Sequence, residues 1–193
     1  MAALQVNDVL EWTSVVLNIG YAYLLGRQLR VGWLLGFVAS SIGVWLYADQ
    51  AAWLMAALNV FYAAMGLYGW WSWGRTVEVQ ATVRFAWWQH AVALVVTAVG
   101  TVLLVWAMQA MAPSGKLLGM EAFITVSAMV ATWMMSRKVL ENWLYWIAGD
   151  LVAVGYNHLI GYQGYALLNV VYIALAVIGY VRWRRGAGHL DMQ

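Results

Sequence analysis

The segment Trp143-Leu144-Tyr145-Trp146-Ile147-Ala148-Gly149-Asp150 places two indoles and a carboxylate inside a stretch apolar enough to cross a bilayer. At about 100° per residue, Trp143, Trp146 and Asp150 fall within about 60° of one another on a helix, and Asn157 shares their sector two turns on. Indole faces stack on an aromatic ring and attract a cationic one by roughly 0.5–2 kcal/mol each once desolvated. A carboxylate beside them balances charge or accepts hydrogen bonds from ribose or amine groups. The face therefore suits a flat, cationic, hydrogen-bonding solute. A carboxylate at membrane depth costs roughly 2.5–3.5 kcal/mol on insertion scales, which marks it as a functional residue. The plainer alternative makes the indoles interfacial belt residues, Trp143 above all, and makes Asp150 a partner to another helix.

The elements that must position this face are membrane helices. Of 193 residues, 65% are hydrophobic and 9% charged, against about 25% charged in soluble domains. Long apolar runs that do not alternate exclude a barrel. The net charge of +2 and the absence of a basic cluster before the C-terminal end give no sign of nucleic acid, and no cysteine is present. Seven spans are predicted, at roughly 9–26, 33–49, 52–73, 85–109, 119–136, 142–160 and 164–183. Nine of the ten basic residues, all but Lys116, fall on one side of these spans. That side is read as cytoplasmic, with the N-terminus outside and the C-terminus inside the cell.

Sliding the chain by 110 residues superposes Trp33-Leu34 on Trp143-Leu144, Leu58-Asn59-Val60 on Leu168-Asn169-Val170, and Tyr62, Gly69, Trp73 and Arg75 on Tyr172, Gly179, Trp183 and Arg185. Over residues 33–75, 12 of 43 positions are identical. The expected organisation is a single membrane domain over 1–193: a three-helix repeat at 9–75, a linker helix at 85–109 and a second repeat at 119–185. Because the odd helix restores the direction of the chain, the repeats are parallel and the linker is an inversion helix, giving an all-α, 3+1+3 integral membrane protein. Transporters built this way place the solute between the repeats near the midplane.

The repeat is asymmetric where the chemistry sits. Trp146 meets Gly36 and Asp150 meets Ser40, so bulk and charge in the second repeat face small residues in the first. Trp33, Ser40, Asn18 and Asn169 are expected to line the wall opposite Trp143, Trp146, Asp150 and Asn157. The duplicated Asn59–Tyr62 and Asn169–Tyr172 pairs read first as interhelical packing, with a solute-facing role open for either. Glu11 and Glu121 read as helix starts. Gln89, His90 and His158 read as solvated helix ends. The Trp70-Trp71-Ser72-Trp73 and Phe85-Ala86-Trp87-Trp88 clusters read as the cytoplasmic aromatic belt. No metal-ligand spacing, phosphate loop or nucleophile elbow is present, so neither a metal, a cofactor nor an enzyme is expected.

The sequence Asn142-Trp143-x-x-Trp146-x-x-x-Asp150, in the sixth of seven spans and the second of two parallel repeats, resembles the Trp-x-x-Trp-x-x-x-Asn/Asp motif of the PnuC family of vitamin transporters. The resemblance runs from about Glu11 to Arg185. It implies a fold similar to SWEET transporters and facilitated diffusion of nicotinamide riboside or a sibling such as thiamin across the inner membrane. It also implies a cytoplasmic kinase that traps the solute, and a homo-oligomer, specifically a trimer. Asp150 stands where nicotinamide riboside members often carry Asn. A receptor or scaffold without transport is the reading from another class.

Overall fold

The computed structural model describes residues 2–49, 53–74, 82–111, 117–161 and 163–187. Those residues form α1 (Ala2–Gly26), α2 (Gly32–Asp49), α3 (Trp53–Gly74), α4 (Trp87–Met111), α5 (Leu118–Ser136), α6 (Asn142–Leu159) and α7 (Gln163–Ala187). The order is 3+1+3, as the hydropathy pattern predicts, and most ends fall within a few residues of the expected spans. The exception is α1, which begins well before residue 9. Glu11 thus lies in the helix interior rather than at its start, whereas Glu121 does sit in the first turn of α5. Arg75, Lys116 and the connection after Gly74 lie outside the described residues. Among the described residues three helices, α4, α5 and α7, are long and apolar enough to span a bilayer by length and composition alone. The others dilute their aliphatic content with Trp, Tyr, Gly and Asn.

The chain forms two compact units, Met1–Gln80 and Ala81–Gln193. In the first, α2 packs against both α1 and α3. In the second, α6 packs against both α5 and α7, and α4 lies against α5. The middle helix of each triplet is thus its core.

The turn into each middle helix is built the same way. Gln28 (φ 56°) and Lys138 (φ 54°), 110 residues apart, both adopt the left-handed conformation. Gln28 N–H donates to Leu25 C=O at 2.9 Å and Leu29 N–H to Leu24 C=O at 2.9 Å. Lys138 N–H donates to Met135 C=O at 3.0 Å and Val139 N–H to Met134 C=O at 3.0 Å. Each is a Schellman closure that satisfies two of the carbonyls a helix end leaves without partners.

Each triplet also closes around one indole. Trp33 meets Trp73 edge to face at 5.6 Å and 87°, and Trp143 meets Trp183 at 5.4 Å and 87°. That geometry sets a positive ring edge on a negative face. A β-carbon at Gly69 would strike the Trp33 ring, and one at Gly179 the Trp143 ring. These two glycines make room for the indoles, as close packing between apolar helices in a bilayer requires. Trp73 and Trp183, 6% and 1% exposed, are therefore core residues and not belt residues. Trp71, Trp87 and Trp88 are exposed, as a belt requires.

Candidate functional site

The residues singled out on α6 differ in their exposure. Trp143 is 2% exposed and Trp33 1% exposed, each enclosed by its own triplet. Neither offers a ring face to a solute in this conformation, which corrects the expectation that they stack on one. The aromatic surface left on this face of α6 belongs to Trp146. It is half-buried, and its indole N–H is buried with no acceptor among the described residues.

One turn on, Asp150 is half-buried. Among the described residues it accepts no hydrogen bond and has no ion pair. The Tyr172 phenol of α7 lies within electrostatic reach of it. Two turns beyond Asp150, Asn157 uses its amide N–H on its own helix, donating to Ala153 C=O at 2.9 Å, and Asn169 donates to Tyr165 C=O at 2.8 Å. Each side chain thereby commits one of its two N–H donors to the backbone, which leaves the other N–H and the side-chain carbonyl oxygen open to a partner. Among the described residues of the second unit, two indoles with unspent donors (Trp143, enclosed, and Trp146, half-buried), a carboxylate without a partner, a nearby phenol and two amides thus occur on α6 and α7.

In the first unit the residues at the same register are arranged differently. Asn59 donates to Met55 C=O at 2.9 Å, as its counterpart Asn169 does to Tyr165. Its side chain also packs so closely on Gly43 that a β-carbon there would collide with it. The position matching Gly43 is Ala153, whose methyl forbids the same fit. Ser40 is 6% exposed. Asn18 donates to Ser14 Oγ at 3.4 Å, and Ser14 Oγ donates to Ala39 C=O at 3.3 Å, tying α1 to α2. Asn59 therefore fits the packing role, and Asn18 adds to it.

A size swap between the repeats escaped the sequence reading. Gly36 leaves space for the Tyr21 ring of α1, which a β-carbon would meet at 2.7 Å, and Tyr21 leans edge-on against Trp33 at 5.8 Å. In the second repeat the middle helix supplies the large ring, Trp146, and the first helix has Ala131. Each repeat carries one additional aromatic ring, contributed by opposite helices. The signal was present in the 110-residue register, at Tyr21 against Ala131 and Gly36 against Trp146.

His90 is not a solvated end. Its Nδ1 lies 3.1 Å from the Tyr145 hydroxyl, with the rings stacked at 6.1 Å and 15°, and Phe85 meets it edge-on at 5.7 Å. Among the described residues no three His, Cys, Asp or Glu side chains converge as metal ligands would.

Residues 8–185 match the family model described as nicotinamide mononucleotide transporter. The chain belongs to this family. A relative, the riboflavin/roseoflavin transporter RibM of Streptomyces davaonensis, is 29% identical over 175 residues, covering 79% of this chain and 82% of that one. The fold matches the crystal structure of the vitamin B3 transporter PnuC with a TM-score of 0.74 at 19% identity, over 94% of this chain and 83% of that one. The chain is thus a membrane transporter rather than an enzyme, with seven helices among its described residues.

Proposed function

We propose that the protein is a uniporter that carries a flat heteroaromatic vitamin down its concentration gradient, with nicotinamide riboside as the first solute and thiamin as the alternative. The observation that supports a cationic ring is Asp150. A carboxylate in a membrane helix with no donor or cation among the described residues is costly unless a ligand supplies one. Trp146, one turn away, offers a ring face and an indole N–H. In this reading Trp146 stacks on the ring, Asp150 balances its charge or binds its ribose, and Tyr172, Asn157 and Asn169 orient its polar groups.

A second reading is favoured by the 29% identical riboflavin/roseoflavin transporter. Riboflavin has a neutral ring, so Asp150 would accept hydrogen bonds from the ribityl hydroxyls instead of pairing with a cation. Calorimetric titration of the purified protein with nicotinamide riboside, thiamin and riboflavin separates the two. Hydrogen bonds to charged groups contribute about 1.5–3 kcal/mol, so Asp150→Asn is expected to weaken a cationic vitamin by about ten- to a hundredfold. Equal losses for a cationic solute and its neutral isostere would refute charge recognition. Binding without uptake into liposomes would make the protein a receptor.

The same reading places the protein in the inner membrane with its N-terminus outside, two parallel three-helix repeats in each copy, and a cytoplasmic kinase downstream. Labelling of introduced cysteines from either side tests the orientation. Mass measurement in lipid nanodiscs tests the expected trimer.

A further inference from the structure

The turn between the first and middle helices is alike in both triplets, yet its exposure differs between them. Val139, Leu140 and Glu141 are 1%, 1% and 8% exposed, whereas Leu29 and Val31, the counterparts of Val139 and Glu141, are both 44% exposed. The cover is the segment that leads into α4. Val83 forms a parallel bridge with Val139, its N–H donating to Lys138 C=O at 3.0 Å while its C=O accepts from Leu140 N–H at 2.8 Å. The Glu141 carboxylate accepts from Phe85 N–H at 3.2 Å and from Arg84 Nε at 3.3 Å. The first turn of α4 adds the stacked His90–Tyr145 pair described above.

We infer that these contacts weld the linker helix to the second repeat, so that the bodies that move during transport are α1–α3 and α4–α7, with α4 belonging wholly to the latter. This inference rests on the transporter reading. The physical basis is the kind of contact involved. Two backbone hydrogen bonds and a carboxylate that is nine-tenths buried cannot slide by a fraction of a residue. A register change would strand the Glu141 charge and the two paired backbone groups together, and buried polar groups left without partners are expensive. The corresponding turn of the first repeat carries hydrophobic residues in the open and no strand pairing among the described residues. Glu141 is thus a positioning residue: it holds the start of α6, the helix that bears Trp146 and Asp150, against a second element.

The chain contains no cysteine, so introduced thiols are unique. Paired strands lie about 4.8 Å apart, inside the Cα range that a disulfide accepts. Val83→Cys/Val139→Cys is therefore expected to oxidise readily. Uptake of whichever vitamin the purified protein binds is measured in liposomes before oxidation, after it, and after reduction. Oxidised protein that transports within about twofold of its reduced form supports the weld. Uptake that stops on oxidation and returns on reduction overturns it. No uptake by the reduced protein for any bound vitamin defeats the transporter reading instead.

A second measurement needs no cross-link. Spin-label distances are recorded between Ala91→Cys on α4 and Ala148→Cys on α6, and between Arg27→Cys after α1 and Ala148→Cys, with and without the bound vitamin. The first distribution is expected to stay fixed while the second shifts. A shift in the first overturns the inference.

Discussion

Trp143→Ala is expected to destabilise the protein rather than empty its binding site. The indole is 2% exposed, meets Trp183 edge to face, and sits over Gly179, where three of its ring atoms lie within 2.8 Å of the place a β-carbon would take. Removing it leaves a void on the order of 140 Å³, and at about 24 cal/mol per Å³ of residual cavity the loss is about 3 kcal/mol. The transfer part of a usual core deletion is small here, because lipid is as apolar as the helix interface. For a chain of this size about 3 kcal/mol lowers Tm by roughly 6–12 °C. The assay is thermal unfolding in detergent beside vitamin affinity at a temperature where both proteins are folded. Affinity should change little, whereas Trp146→Ala should show the reverse pattern: near-normal Tm and binding weakened by about 1–3 kcal/mol, as for stacked bases on aromatic side chains. The glycine supplies an internal check. Gly179→Ala alone overpacks the indole and costs about 1–3 kcal/mol. In the Trp143→Ala background the clash is gone, and the added methyl should be neutral or stabilising. A Trp143→Ala protein with unchanged Tm and lost binding would refute this division of labour.

Other outcomes follow from local geometry. Gly36→Ala should lower stability by about 1–3 kcal/mol because its methyl meets the Tyr21 ring at 2.7 Å, while Gly119→Ala, with nothing within 4 Å, should raise it by about 0.5–1 kcal/mol; parallel melting curves compare them. Leu117 begins α5 in the left-handed region at φ 61°, where a β-carbon costs roughly 1–2 kcal/mol. Leu117→Gly should therefore raise Tm, and a fall would show that its side chain outweighs the strain. Burial pushes the Lys138 ammonium below its ordinary value of 10.5. The unfolded chain then binds more protons than the folded one between the lowered value and 10.5, so stability rises with pH through that window. Lys138→Met should accordingly be favoured near neutral pH, with its advantage shrinking as pH approaches 10.5. A constant gap between the two melting temperatures would contradict that sign.

The helices were legible because a bilayer demands long apolar stretches, and the repeat because it keeps one register across a gapless shift. The meaning of the shared residues was harder to read. Trp33 and Trp143 carry the right chemistry for a solute clamp, but sequence alone does not reveal that Gly69 and Gly179 stand opposite them on neighbouring helices. Duplication itself was the clue: a residue kept in both repeats serves what both share, which is their packing. Trp146 and Asp150 are not duplicated, and both are half-buried rather than enclosed. The covering of the Val139–Glu141 turn was invisible because it joins residues some 55 positions apart through backbone groups, which leave no trace in side-chain pattern. His90 was misjudged because its partner, the Tyr145 side chain, lies on a different helix.

The Trp33–Trp73 and Trp143–Trp183 pairs have a practical corollary. The edge-to-face contact of each pair, and the glycine that makes room for it, fall within Met1–Gln80 for one and within Ala81–Gln193 for the other. Severing the polypeptide after Gln80 would therefore cut through neither nucleus. Two plasmids, each encoding one fragment, should yield halves that fold independently and reconstitute uptake when co-expressed, whereas a split inside either triplet should not.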